Sequence, residues 1–105
     1  MIKMVRLLKR QGDMTLEEMR KWWLGPHAAL AKRLPGLRKY VISFVFGSPD
    51  SGDPKYDGMA EMWFDSIEEA ERAQESEVMK ELIKDSAGLN FTIVRLSTEE
   101  YVVID

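Results

Sequence analysis

The chain has 105 residues, 45% of them hydrophobic and 31% charged, a length that suits one domain around one core and leaves no room for a second. Fifteen basic residues against eighteen acidic ones give a net charge of −3, so no electropositive field gathers nucleic acid or anionic lipid, and neither is expected as a partner. The absence of cysteine excludes disulfides, thiolate nucleophiles and sulfur-ligated metal sites together.

The first ten residues, MIKMVRLLKR, are too interrupted by charge for the apolar region of a signal peptide, and no run approaches the ~18 apolar residues of a membrane span. A cytoplasmic protein with no membrane partner is expected. Ile2 to Lys9 mixes β-branched and long apolar residues and ends at the turn-forming QGDM, which predicts a first strand. Thr15 and Glu18 form a capping box, with Met14 and Met19 at the positions of a hydrophobic staple, so a helix starts there. Its apolar stripe runs through Leu16, Met19, Trp23, His27, Leu30 and Leu34, and Pro35-Gly36 ends it. This helix carries Gly25 and Pro26 in its middle, which cost about 1 and 3 kcal/mol relative to alanine in a helix interior. A bend is expected there, beside the single histidine of the chain.

Leu37 to Phe46 is β-branched and aromatic and apolar on both faces at its end, which predicts a buried second strand. The Gly-, Pro- and Asp-rich 47–57 stretch is a loop, and Gly58 to Phe64 is a third strand. Ser66 with Glu69 reads as a second capping box opening a helix to about Gln74, and Ser76 restarts a helix that stops at Gly88. Phe91 to Ile104 supplies the last strand, with a bulge or break at Thr98 to Glu100. The order β-α-β-β-α-β predicts an α+β, ferredoxin-like domain spanning residues 1–105, with both helical segments on one face of an antiparallel sheet. The other face would then expose an apolar patch, and a second copy of the chain is expected to cover it as a two-fold homodimer.

The stretch WWLGPHAALAKRLPGLRKY, followed by YDGMAEMWFDSIEEA and the acidic second helical region, resembles the EthD family over nearly the whole chain. The resemblance implies the dimeric α+β barrel fold and a small-molecule pocket between sheet and helices. Members of the family include proteins attached to ether-degradation clusters, fungal polyketide dehydratases and a methylmuconolactone methylisomerase that needs neither metal nor prosthetic group. By resemblance, His27 and Tyr40 are the candidate catalytic residues, and neither cofactor nor metal is expected.

The residues themselves leave alternatives open. His27 suits a general acid or base, because imidazole titrates near neutral pH; the other reading is a buried structural histidine bonded to the Trp22 carbonyl freed by Pro26. The Tyr40 phenol, if buried, needs a partner such as His27 or a substrate carbonyl; otherwise it caps the core with its hydroxyl in water. Trp23, Phe44 and Trp63 are candidate walls of a flat apolar pocket, although most aromatics in a chain of this length are core. Glu61, between Met59 and Trp63 on one strand face, is a candidate substrate-binding carboxylate or the partner of Arg6 or Arg95 in a structural ion pair. Two functions fit: a cofactor-independent isomerase or lyase acting on a small apolar, aromatic or lactone carbonyl compound, and a non-catalytic metabolite-binding protein using the same pocket.

Overall fold

The computed structural model describes residues 1–50 and 52–105. Four antiparallel strands, β1 (Ile2–Lys9), β2 (Lys39–Phe44), β3 (Gly58–Phe64) and β4 (Thr92–Glu99), form one sheet in the order β2-β3-β1-β4. The helical segments are α1 (Leu16–Trp22), a π turn (Trp23–His27), α2 (Ala28–Ala31), α3 (Ile67–Gln74) and α4 (Glu77–Ala87). Strand order and connectivity are those of an α+β, ferredoxin-like fold. No helix is long and apolar enough to cross a membrane.

Side-chain alternation fixes which residues meet the helices. In the β1–β3 register Met4 faces Met62 and Leu8 faces Gly58, and these even-numbered positions carry the core. Two apolar clusters result. One surrounds Met4, Met62 and Phe64 with Ala70, Ala73, Met79 and Leu82 from α3 and α4; the other surrounds Trp23 and Met19 with Leu8 and Ala60. Tyr40 packs against both.

Helix starts follow the sequence signals closely. Thr15 accepts a hydrogen bond from the Glu18 amide while the Glu18 carboxylate accepts from the Thr15 amide, completing the capping box. At α3 only half the box forms: Ser66 accepts from the Glu69 amide, but the Glu69 carboxylate turns to Arg72 at 2.5 Å instead. Ser76 caps α4 by accepting from the Met79 amide.

Strand ends depart from expectation. Strand β2 stops at Phe44, and Phe46 stands fully in solvent, because the chain leaves the sheet edge for the 47–57 loop. Ser51, in the expected loop, lies outside the described residues. Strand β4 ends at Glu99 rather than Ile104, so Thr98 to Glu100 is an end rather than a bulge, and Tyr101 to Ile104 are exposed. The expected bend in the first helix is present as a kink at Gly25; regular helix ends at Ala31, short of Leu34, and Gly36, with φ +76°, makes the reversal that follows.

One carboxylate ties the 47–57 loop to β1. Asp57 accepts from the Arg10 amide at 2.7 Å and lies 3.1 Å from the Arg10 guanidinium and 3.8 Å from the Lys9 ammonium. Burial alone pushes this carboxyl up, but the Arg10 amide and guanidinium, with Lys9, outweigh it and hold Asp57 below the usual aspartate value. A depressed carboxyl contributes stability that is present above its unfolded value and lost as pH falls through its folded one. Asp57→Asn is therefore expected to cost about 2 kcal/mol at pH 7 and to flatten the loss of stability below about pH 4. Urea melts at pH 7 and pH 3 check both.

Candidate functional site

The break in the first helix builds the site. Gly25 leaves helical geometry (φ −95°, ψ −107°), Pro26 offers no amide, and the Ala28 amide reaches back to the carbonyls of Gly25 and of Trp23, five residues earlier. In a regular α-helix residues 22 and 27 would point about 140° apart at 3.6 residues per turn. The wider turn brings them to one face, and the Trp22 and His27 rings pack with centroids 4.3 Å apart.

Both rings then converge on one carboxylate oxygen. Asp85 Oδ2, on α4, accepts from the Trp22 indole Nε1 at 3.0 Å and lies 2.7 Å from His27 Nδ1. The His27 partner is thus Asp85 and not the Trp22 carbonyl. A neutral imidazole satisfies this contact by carrying its proton on Nδ1, which leaves the Nε2 lone pair free. The imidazole side chain is 13% exposed and Asp85 35%, so the pair is shielded on the histidine side and wetted on the other.

His27 lines a cavity of about 50 Å³ at the seam between the two core clusters, together with Trp23, Tyr40, Met62, Arg6 and Arg95. An outer cleft of about 300 Å³ shares Ile83, Ser86, Ile93 and Arg95 with it and opens beside the β4 edge of the sheet. Burial pushes the Tyr40 phenol up to about 12, against the Trp23 side chain, whose hydrogen bond favours the phenolate. Tyr40 is therefore a proton donor throughout the neutral range. Burial, reinforced by the nearby Arg95 charge, lowers the Arg6 guanidinium to about 10, so it remains a cation at neutral pH.

The sequence candidates divide between the two faces of the sheet. His27, Tyr40 and Trp23 meet at the cavity. Phe44 stands behind it, edge-on to Trp23 with centroids 5.6 Å apart and with Arg20 over its ring, and braces the wall without lining it. Glu61 and Trp63 are odd-numbered β3 positions and occupy the helix-free face, on the far side of the sheet from His27. There the Glu61 carboxylate lies 3.0 Å from the Lys3 ammonium, and the Trp63 indole donates to Glu100 at 2.8 Å. Arg6 and Arg95 face the helices, so neither forms the expected ion pair with Glu61; parity within the strand separates them.

Three cavity or dyad residues were missed by pattern reading. The period of two that places Met4 and Leu8 inward also places Arg6 inward, and Arg95 sits directly opposite it on β4. Asp85 follows Leu82 by three residues on α4, which turns it toward the packed side of the helix.

A "4-carboxymethyl-4-methylbutenolide mutase" of Pseudomonas reinekei is 31% identical over 86 residues, covering 76% of this chain and 79% of that protein. The crystal structure of an ethyl tert-butyl ether d (EthD) family protein from Bacillus halodurans c-125 superimposes with a TM-score of 0.79 and 26% identity, covering 96% of this chain and 100% of that one. A dimeric ferredoxin-like protein of unknown function from Thermobifida fusca YX shares the fold, with a TM-score of 0.73 at 14% identity over 94% of this chain and 90% of its own. The EthD domain pattern matches residues 11–92, from the turn after β1 to the start of β4 and so including the divided helix and the His27–Asp85 pair, and the chain belongs to the EthD family.

Proposed function

We propose that the chain binds a small carbonyl compound in the cavity between sheet and helices and moves a proton on it without a cofactor, as an isomerase or lyase. The observation that carries this reading is the His27–Asp85 contact at 2.7 Å on the wall of an otherwise mainly apolar cavity. In that role His27 Nε2 removes the proton, Asp85 fixes the ring and the tautomer, and Tyr40, kept protonated by burial, donates to the carbonyl oxygen as charge develops there. The mutase relative, named for a butenolide, supports a lactone or similar carbonyl as the substrate type. Wild-type protein in heavy water with simple butenolides and aryl ketones tests this: saturable deuterium incorporation next to the carbonyl supports proton transfer. Saturable binding with no exchange and no isomerised product would favour the carrier function instead.

The same reading includes a homodimer joined through the helix-free sheet face. Val5, Leu7, Val41, Met59, Val94 and Leu96 share that face, and Leu96 is 45% exposed. After β4, Val102 and Ile104 are 68% and 89% exposed, further apolar surface that a lone chain leaves in water. Sedimentation at micromolar concentration is expected to give a two-chain mass, and Leu96→Asp a one-chain mass. A monomeric wild-type protein would contradict the assignment.

A further inference from the structure

Two arginines stand opposite each other on the helix side of the sheet, Arg6 buried and Arg95 exposed. Arg6 and Arg95 are directly opposed in the β1–β4 register, both on the helix side of the sheet and both lining the inner cavity. Like charges directly opposite on a sheet face repel, and a buried charge without a partner is costly. Yet Arg6 is only 9% exposed. Among the described residues its side chain donates one hydrogen bond, to the Val5 carbonyl at 3.1 Å, and neither arginine has a carboxylate within ion-pair distance. The remaining guanidinium donors of Arg6 are left for whatever enters the cavity. Among the described residues the half-buried lysines and arginines have acidic partners: Lys3 has Glu61, and Lys9 and Arg10 have Asp57.

We propose that Arg6 and Arg95 form an anion subsite that holds a carboxylate group of the ligand, inside the cavity that also presents His27 and Tyr40. The proposal rests on the reading of that cavity as a small-molecule site and specifies its substrate class: a small carbonyl compound bearing a carboxylate arm. A planar carboxylate matches the fork of a guanidinium in two parallel hydrogen bonds. The inner space of about 50 Å³, apolar apart from these groups and Ser86, suits a singly charged carboxylate better than a bulkier, more strongly hydrated phosphate. Arg95, exposed at the shared wall with the outer cleft, meets the anion first; Arg6, buried behind it, receives it. Anchoring one end of the ligand in this way leaves its carbonyl and the adjacent C–H to Tyr40 and His27.

Matched pairs of probes test the subsite: phenylacetate with phenylacetamide, and levulinate with levulinamide, plus inorganic phosphate, each titrated into the full chain by NMR of the arginine side chains and the His27 ring. Each carboxylate is expected to bind the wild-type protein at least about tenfold more tightly than its amide. Arg95→Gln should bring that ratio close to one, and Arg95→Lys should restore part of it. Arg6→Met should also abolish the ratio while melting at a temperature no lower than wild type, because it removes an unpartnered buried charge. Equal binding of acid and amide, an unchanged ratio in both Arg95→Gln and Arg6→Met, or phosphate binding as tightly as the carboxylates would overturn the carboxylate subsite and leave the small-molecule reading standing. If no probe, charged or neutral, moves any cavity signal, both fall together.

Discussion

Replacing His27 by asparagine is expected to lower proton exchange on a bound carbonyl compound by about 10²–10⁴-fold, the range in which a positioned general base contributes. The side chain is small enough to fit beside Trp22, so the fold should survive, and the affinity for a substrate analogue should change little. A loss confined to the rate, with binding kept, separates a proton carrier from a wall of the pocket. Asp85→Asn should act through His27. It keeps an oxygen for the Trp22 indole but removes the charge that fixes the imidazole, so the rate falls less than for His27→Asn and its pH profile moves. An Asp85→Asn protein with unchanged rate and profile would make the carboxylate a brace for Trp22 alone.

The second large effect concerns Trp23, which is 1% exposed, fills the centre of the second core cluster and forms a wall of the cavity. Trp23→Ala is expected to cost about 3–5 kcal/mol, the usual penalty for truncating a buried aromatic. Its seat depends on Gly58. A β-carbon there would stand 2.6 Å from the Trp23 ring atom Cζ3 and 3.0 Å from the Ser43 carbonyl oxygen. Gly58→Ala should therefore destabilise by about 1–3 kcal/mol through overpacking. The two effects share one contact, so they should not add: in a Trp23→Phe background, where Cζ3 and Cη2 of the indole are gone, Gly58→Ala should cost less than it does alone. Denaturant melts of the four proteins give the coupling. Strict additivity would place the Gly58 effect in the Ser43 backbone contact and not in the indole.

Much of the fold is legible because its signals are local. Thr15, Ser66 and Ser76 mark helix starts by the chemistry of a single side chain accepting a nearby amide, and alternation along β1 and β3 needs no distant information. The halved box at α3 was not legible, because the choice of Glu69 between the Ser66 amide and Arg72 depends on competition between two partners. The ends of β2 and β4 were overread for a related reason. Phe46 and Val102 to Ile104 have strand-like chemistry, but a strand requires a neighbour to pair with, and none is given by composition.

The site was legible in half. Gly25-Pro26 beside the histidine marks a break in the first helix by simple backbone chemistry, and the structure turns that break into a π turn that aligns Trp22 with His27. What the break aims at could not be read, since Asp85 lies 58 residues further along the chain. Glu61 and Trp63 were grouped with His27 by residue type, while strand parity puts them on the opposite face; the same parity, applied to Arg6, would have placed a charge in the core. Where local rules and a buried charge conflict in this way, the conflict itself marks the place to look for function.

In the proposed mechanism Asp85 holds the neutral His27 ring with its proton on Nδ1 and its Nε2 lone pair turned to the ligand cavity. Nitrogen NMR of the imidazole tests it directly, and assignment is simple because the chain has one histidine. The expected result, at a pH where the ring is neutral, is a proton on Nδ1 rather than Nε2, with the Nε2 signal shifting when a carbonyl compound saturates the protein. A ring protonated at Nε2, or an Nε2 signal that stays in place at ligand saturation, would rule out His27 as the base that Asp85 orients.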